Sequence, residues 1–287
     1  MDKIKYFLQF IIILILFFLF KLLGLKYSTR FSGNLMTILG PMFRSNKIII
    51  SNLTKAFPKL SLQEKKILSK KMWFNYGRIL AEYMYIKYFR EKKKFSNLIT
   101  IENQNILEKI KKESKPVIFI SGHFNNFELM AMQIDKAGID LTTIYRPLNN
   151  IFLNPLMERI RKKYICKKQI KKGIAGTKEL LQNFKNGSSI ALMIDQRVTE
   201  GVMCDFFGQK ARTTTIPAQF VKKFNAKIVP VYIHRFDDNK FKLEFGNIIE
   251  FKNDETLDAI TLKLNKILEE MILKNPDQWI WTHNRWK

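Results

Sequence analysis

His123 and Glu128 lie five residues apart in the segment PVIFISGHFNNFELM, residues 116–130. A histidine with a pKa of about 6.5 can act as a general base near neutral pH. A nearby carboxylate improves such a base, because it fixes one tautomer and stabilises the protonated ring. The pair therefore points to proton removal from a bound hydroxyl. The alternative at this point is a helix-capping histidine beside an ordinary surface glutamate, since His-x4-Glu is a short pattern.

Other kinds of catalysis find no support in the motifs. Ser121 lacks the G-x-S-x-G context of a serine nucleophile, and neither a P-loop nor a G-x-G-x-x-G segment occurs. Cys166 and Cys204 lie far apart and match no metal spacing, so we expect free thiols facing the cytosol. We predict no bound metal and no bound cofactor, which leaves base catalysis on a hydroxyl.

The elements that would position His123 follow from the hydrophobic pattern. Residues 117–120 form an apolar run that predicts a buried strand, and helical spacing begins at Phe127. Strands and helices then alternate, which favours a single α/β domain with a mainly parallel sheet, made mixed by a final hairpin. We predict further strands at residues 141–145, 189–194, 227–234 and 241–249, and helices at residues 106–112, 153–164, 173–184, 216–224 and 255–273.

Two other polar residues follow predicted strands as His123 does. Arg146 comes directly after the strand at residues 141–145, and Asp195 comes after the strand at residues 189–194. In open sheets of this type, sites form outside the carboxyl ends of the strands. The three residues together predict a site at that edge, with an exposed strand-end arginine as the alternative interpretation of Arg146.

The N-terminal segment at residues 6–20 carries no charge, and the apolar run continues to Leu25 with only Lys21 as an interruption. About 20 apolar residues suffice for a membrane-spanning helix. A signal peptide is the alternative, but no small-x-small cleavage site follows. We predict an uncleaved anchor at residues 1–25, spanning the membrane or lying in its interface, and a catalytic domain at residues 26–287. More basic residues follow the anchor than precede it, which places the domain in the cytoplasm.

The formal net charge of +25 predicts attraction to polyanions such as nucleic acid, an anionic membrane or an acidic ligand. AT-rich coding also produces many lysines, which then form solvated faces. The segment RIRKKYICKKQIKK, residues 159–172, is harder to explain in this way because it holds eight basic residues and no acidic one. We expect no nucleic-acid partner, since no recognised module is present and an apolar anchor would serve no purpose there.

Several longer segments resemble the late acyltransferases of bacterial lipid A biosynthesis, the lauroyl and myristoyl transferases, within the glycerolipid-type acyltransferase superfamily. The first is the His-x4-acid pattern after a short strand. The others are NLTKAFPKLS, YRPLNN, IDQR, FFGQKARTTTIPAQF and the closing NPDQWIWTHNRWK, in which Asn284 stands where arginine is commoner. The resemblance runs from the anchor to Lys287, so the segments together are specific where each alone is weak.

The resemblance implies transfer of a fatty acyl chain from an acyl thioester to a hydroxyl of a lipid A precursor. The thioester would be carried by acyl carrier protein or coenzyme A. His123 would be the general base, and Glu128 would orient it and stabilise its charge. Arg161 and Asp195 match positions that the family uses in or near the site, and Arg146 would contact phosphate or the polar head. The implied location is the inner membrane, with the catalytic domain on the cytoplasmic face.

Two alternatives stay open at this stage. The same chemistry can serve another glycolipid, a lysophospholipid or an aminolipid. A non-catalytic, basic membrane-surface protein is the alternative from a different functional class. We expect the three C-terminal tryptophans to fill the core rather than contact lipid, and His234 and His283 to be structural. The tryptophans are Trp279, Trp281 and Trp286.

Overall fold

The computed structural model describes residues 2–287, and nine strands lie within them. Their bounds are β1 Ile99–Glu102, β2 Val117–Ser121, β3 Leu141–Tyr145, β4 Lys168–Lys171, β5 Ser189–Met193, β6 Val202–Phe206, β7 Gln209–Thr213, β8 Lys227–Asp237 and β9 Lys240–Phe245. Seven of them form one sheet in the order β1-β9-β8-β2-β5-β3-β4, and β6 and β7 form a separate hairpin. Every neighbouring pair in the large sheet is parallel except β8 and β9.

Helices cover both faces of the sheet, and five of the helices come before its first strand in the chain. Their bounds are α1 Asp2–Phe43, α2 Asn46–Ala56, α3 Leu62–Tyr83, α4 Ile86–Glu91, α5 Lys93–Ser96, α6 Asn105–Glu113, α7 Glu128–Lys136, α8 Leu153–Ile160, α9 Ile174–Lys185, α10 Ile216–Phe224 and α11 Leu257–Lys274. A π-helical turn, Arg161–Ile165, continues α8. The predicted fold class is therefore confirmed: an α/β domain with a mixed, mainly parallel sheet after an apolar N-terminal helix.

Strand β2 lies in the middle of the sheet, between β8 and β5, and all five of its residues are buried. A strand covered on both faces is apolar along most of its length, which explains the uninterrupted apolar run at residues 117–120. Strand β4 is the opposite case. It lies at the sheet edge inside the basic segment, and two of its four residues are exposed lysines. Lysines on an edge strand discourage pairing with other chains.

Helix α1 is longer than the predicted anchor and ends at Phe43 rather than near Leu25. Gly24, with φ of 72°, is the non-helical residue inside it, one position before the predicted boundary. The half beyond Gly24 packs on α3, where Ser32 Oγ donates to the carbonyl of Gly77 at 2.6 Å. A Cβ at Gly77 would lie 2.3 Å from the Ser32 carbonyl, so the two helices need glycine there to approach this closely. By length and composition, α1 is the one helix among residues 2–287 that could cross a membrane.

Candidate active site

His123 and Asp195 meet at the carboxyl edge of the sheet. His123 follows β2 and Asp195 follows β5, and these two strands are parallel neighbours. The Nδ1 atom of His123 lies 2.8 Å from Oδ1 of Asp195, and the backbone N–H of His123 donates to Oδ2 at 2.8 Å. One carboxylate thus holds both the ring and the backbone of the histidine, which fixes the direction of the imidazole.

The charges of this pair favour a histidine that is ready to accept a proton at Nε2. Burial alone would raise the pKa of Asp195, but the charge of His123 and the hydrogen bonds from its ring and backbone bring that pKa down to about 2. Burial would lower the pKa of His123, yet the charges of Asp195 and Glu128 raise it above its usual 6.5. Because an ionised carboxylate can only accept, the Nδ1–H of His123 donates to it and Nε2 of the neutral ring keeps its lone pair.

The side chain of His123 is partly exposed at the edge of the sheet. The His123 side chain is 21% exposed, whereas that of Asp195 is 3% exposed. The Phe127 ring packs edge-on against the imidazole, with centroids 4.9 Å apart. The amide nitrogen of Gln196 lies 3.5 Å from Nε2, which is too long for a strong hydrogen bond. An acceptor hydroxyl could therefore take that position.

Trp279 belongs to the site as well as to the core. Its indole Nε1–H donates to Oδ2 of Asp195 at 2.8 Å, and the residue is buried. Its backbone pairs with that of Phe124, the residue after His123. The expectation of a core role is thus confirmed, and the contact with Asp195 adds a role that sequence reasoning missed. The closing segment of the chain helps to keep the Asp195 carboxylate in place.

A buried network of hydrogen bonds and an ion pair stabilises the turn after His123. Asn125 adopts a left-handed conformation with φ of 41°, which asparagine tolerates better than most residues. Its amide donates to Gln278 Oε1 at 2.7 Å, and its carbonyl oxygen accepts from Arg235 at 2.8 Å. Arg235 also pairs with buried Glu82 at 2.6 Å, and Glu82 accepts from Asn126 at 3.0 Å. The two asparagines in HFNNFE therefore set the backbone that presents His123.

Glu128 does not make the contact that we expected. Among the hydrogen bonds of residues 2–287, none joins Glu128 to His123. The Glu128 Oε1 atom instead accepts from Arg161 Nε at 2.8 Å and from the Tyr83 hydroxyl, and Arg161 Nη2 lies 2.7 Å from it. Glu128 opens α7, so its side chain points towards α3 and the π-helical turn rather than back to the histidine. Asp195 is the carboxylate that binds the ring, and Glu128 reaches His123 through its charge.

The two predicted arginines lie in different environments. Arg161 has a side chain only 15% exposed, stands over the Tyr145 ring and is paired with Glu128, whose charge raises the pKa of Arg161 against the effect of burial. Arg146 follows β3 as predicted, but it is exposed, and no ion pair involving it occurs among residues 2–287. The structure thus brings Glu128 and Arg161 together near His123 and leaves Arg146 at the surface.

Part of the basic segment at residues 159–172 is paired with acidic side chains. Lys168 pairs with Asp140 at 2.7 Å, and Lys171 lies 3.4 Å from Glu158. The remaining basic residues of this segment, apart from Arg161, are exposed: Arg159, Lys162, Lys163, Lys167 and Lys172. They form a positive surface on α8, the π-helical turn and the two ends of the edge strand β4.

The other two histidines carry structural contacts. His283 accepts the backbone N–H of Arg197 at its Nε2 atom, at 2.9 Å. Because Nε2 accepts this N–H, the ring carries its proton on Nδ1, and burial favours this neutral form by lowering the pKa of His283. His234 stacks on Tyr232 and lies 3.4 Å from Glu244. Within residues 2–287, no three His, Cys, Asp or Glu side chains gather as metal ligands.

Comparison with known proteins agrees with the resemblance of the segments. The family described as "Bacterial lipid A biosynthesis acyltransferase" matches residues 1–287. The chain is 24% identical over 256 residues to the lipid A biosynthesis lauroyltransferase of Escherichia coli, covering 86% of this chain and 80% of that protein. It is 23% identical over 252 residues to the palmitoleoyltransferase of the same organism, covering 85% and 79%. A lipid A biosynthesis acyltransferase of Haemophilus influenzae is 21% identical over 240 residues, covering 80% and 72%.

Proposed function

Because the chain belongs to the bacterial lipid A biosynthesis acyltransferase family, we propose that it moves a fatty acyl chain from an acyl thioester to a hydroxyl of a lipid A precursor. Members of this family are acyltransferases, so the chain is an enzyme of that class and acts in lipid A synthesis. The observation that supports the mechanism most is the 2.8 Å contact between His123 Nδ1 and Asp195, which leaves Nε2 free to act as a base.

The reaction begins when Nε2 of His123 takes the proton from the acceptor hydroxyl. The hydroxyl oxygen attacks the thioester carbonyl, a C–O bond forms, and the carbonyl oxygen becomes an oxyanion. The imidazolium that results faces the ionised Asp195, which stabilises its charge. When the intermediate collapses, the C–S bond breaks and the imidazolium returns its proton to the departing thiolate. The products are an acyl ester and a free thiol, with His123 neutral again.

Glu128 acts as a positioning residue in this scheme. One oxygen of its carboxylate, Oε1, accepts from both Arg161 and Tyr83 at the start of α7. Burial and the Glu128 charge raise the pKa of Tyr83, so the phenol stays protonated and donates. The Glu128 charge also favours the protonated form of His123, which is the form that follows proton transfer. Glu128 thus assists the base without touching it.

The exposed cations supply contacts for the substrates. Arg146 follows β3, two strands from β2 across β5, so it lies at the same sheet edge as His123. At that edge it can bind a phosphate or another polar group of the acceptor. The basic surface on α8, the π-helical turn and the ends of β4 suits an acidic acyl carrier protein, and the anionic coenzyme A is the alternative donor. In this scheme the thioester is a co-substrate, and no bound cofactor takes part.

We place the enzyme at the inner membrane, with the catalytic domain on the cytoplasmic face. The apolar first half of α1 supports the membrane location. Lys21, Lys26 and Arg30 after the apolar stretch outnumber Lys3 and Lys5 before it. In a helix that crosses the membrane this excess favours the cytoplasm for the domain side, and the free thiols Cys166 and Cys204 favour the same compartment whether or not the helix crosses.

The test is product formation by the purified full chain, given a radiolabelled acyl thioester and a lipid A precursor. We expect an acylated lipid A product, and we expect His123→Ala to lower kcat by a factor of about 10² to 10⁴. His234→Ala is the matched control, because that histidine lies on β8 away from the site, and it should keep its turnover. Normal turnover by His123→Ala, or acylation only of a lysophospholipid, would contradict the proposal.

A further inference from the structure

The first half of α1 packs against the catalytic domain along most of its length. The residues on one face, at the spacing of a helix, are buried or half-buried: Tyr6, Phe10, Ile13, Leu16, Phe17 and Phe20. From Tyr6 to Phe20 this face extends for about 21 Å, at 1.5 Å per residue. The opposite faces are apolar and exposed, and their residues include Ile4, Leu8, Ile12, Ile15, Phe18, Leu19 and Leu22.

Both ends of this stretch are fixed to the domain by specific contacts. At the first end, the Asn150 amide donates to the backbone carbonyl of Tyr6 at 2.8 Å. There the Phe152 ring also packs against Phe7, with centroids 5.5 Å apart. At the other end, the Tyr85 hydroxyl donates to the backbone carbonyl of Phe20. The helix therefore lies along the domain and does not project away from it.

This packing is incompatible with a helix that crosses the bilayer beside a domain in water. The hydrocarbon core is about 30 Å thick, so a spanning α1 would carry its domain contacts deep into it. The loop bound to Tyr6 and Phe7 includes the exposed polar residues Arg146 and Asn149. An exposed arginine and asparagine within hydrocarbon would lose their hydration without gaining partners.

The same loop has an apolar side that continues the lipid-facing surface of α1. Leu148, Ile151 and Phe152 are 37%, 52% and 36% exposed. They adjoin Phe7 and Phe10 through the Phe152 ring. Helices that lie in a membrane interface normally keep one polar face towards water. In α1 between Tyr6 and Phe20 the domain takes the place of that polar face.

We propose that α1 lies within one leaflet of the membrane, and that the apolar side of the loop after β3, formed by Leu148, Ile151 and Phe152, inserts beside it as a second membrane-binding element. The occupant of the exposed apolar surface is the acyl-chain region of one leaflet. The exposed polar residues of the loop, Arg146 and Asn149, face the lipid headgroups. Since the loop follows β3, this arrangement brings the carboxyl edge of the sheet to the membrane surface. The proposal rests on the membrane association in the proposed function and not on the reaction chemistry.

Spin-label depth in lipid bilayers tests the proposal. Single cysteines would replace Ile4, Ile12 and Leu19 on α1, and Ile151 on the loop. The native Cys166 and Cys204 are buried and should label poorly. The full chain is reconstituted in vesicles of phosphatidylethanolamine and phosphatidylglycerol, and the accessibility of each label to oxygen and to a water-soluble nickel complex gives its depth.

Leu273→Cys is the matched control for the loop. Leu273 is 54% exposed, close to the value for Ile151, and its neighbour Lys274 pairs with Glu244 on β9, towards the opposite edge of the sheet. We expect similar depths of about 5–10 Å at the three α1 positions, as for other interfacial helices. We expect the Ile151→Cys label to favour oxygen and the Leu273→Cys label to favour nickel.

Three results would overturn the proposal. A depth at Ile12→Cys about 12 Å greater than at Ile4→Cys would indicate a spanning helix, because eight helical residues separate these positions. A label at Ile151→Cys as open to nickel as that at Leu273→Cys would remove the loop from the membrane. Low access of the α1 labels to both reagents would instead indicate a protein partner, such as a second copy. None of these results depends on acyl transfer, so each is separate from a failure of the proposed function.

Discussion

Two buried carboxylates lie near His123, the proposed general base, and they differ in what they touch. Asp195 binds the His123 ring and backbone and takes a third hydrogen bond from Trp279. Glu128 binds an arginine and a tyrosine and influences His123 only through its charge. Both carboxylates are at most 8% exposed, so burial does not separate them. Their hydrogen-bond partners separate them. In the proposed mechanism, Asp195 holds the base during each turnover, whereas Glu128 holds an arginine in the wall of the site.

The largest expected difference between the two carboxylates is in turnover. Asp195→Asn keeps the size of the side chain but can donate to Nδ1, which favours the tautomer with its proton on Nε2 and removes the charge that stabilises the imidazolium. We expect kcat to fall by a factor of about 10² to 10⁴, as for other orienting carboxylates. Asp140→Asn, at an exposed surface carboxylate, is the control and should retain its kcat. Equal turnover in the two variants would mean that Asp195 does not orient the base.

Glu128→Gln should show the next largest effect, and mainly in stability. The change leaves the Arg161 guanidinium buried without its counter-ion, and breaking such a pair costs about 3 to 5 kcal/mol. We expect a lower urea midpoint for unfolding, together with a smaller loss of kcat than in Asp195→Asn. Glu179→Gln on exposed α9 is the matched control and should change the free energy of unfolding by less than about 0.5 kcal/mol. A kcat loss in Glu128→Gln that exceeds the loss in Asp195→Asn would reverse the roles assigned to the two residues.

The exposed lysines near the site should have the smallest effect. We expect the triple change of Lys162, Lys163 and Lys167 to Gln to raise the apparent KM for membrane-embedded acceptor and to leave kcat nearly unchanged. Each lysine contributes about 1 kcal/mol of attraction to an anionic surface at low salt, and screening removes it near 1 M salt. The KM difference should therefore shrink as salt rises. The matched control changes Lys109, Lys111 and Lys112 of α6 to Gln. An equal rise in KM there would mean that the basic surface acts only through the net charge of the protein.

The sequence predicts the central elements of the fold because their patterns are local. The buried run of β2 and the hairpin of β8 and β9 both appear in the structure close to the predicted bounds. The edge strand β4 was missed because exposed lysines alternate there with only one buried residue, Ile170. The hairpin of β6 and β7 was missed because its turn depends on Phe207 and Gly208, both with positive φ. An edge strand and a tight turn leave weaker periodic signals than a strand buried on both faces.

The sequence predicted that four of the candidate residues lie near one another, but it did not predict the contacts between them. His123, Glu128, Arg161 and Asp195 are all close together, as the resemblance implied. The sequence favoured Glu128 as the partner of His123 because only five residues separate them. The true ring contact spans 72 residues, and it depends on the adjacency of β2 and β5, which no local pattern reveals. The catalytic role of Glu128 stays a prediction.

The tautomer and pKa of His123 test the central claim most directly. Nitrogen NMR of the full chain with labelled histidine reports which ring nitrogen carries the proton, and His123→Gln assigns the signal among the three histidines. We predict a neutral ring with its proton on Nδ1 and a titration midpoint above pH 6.5, since nearby anions favour the protonated form. This tautomer should persist in Glu128→Gln, with a lower midpoint, and be lost in Asp195→Asn. A wild-type proton on Nε2, or a tautomer lost in Glu128→Gln and kept in Asp195→Asn, would contradict the account.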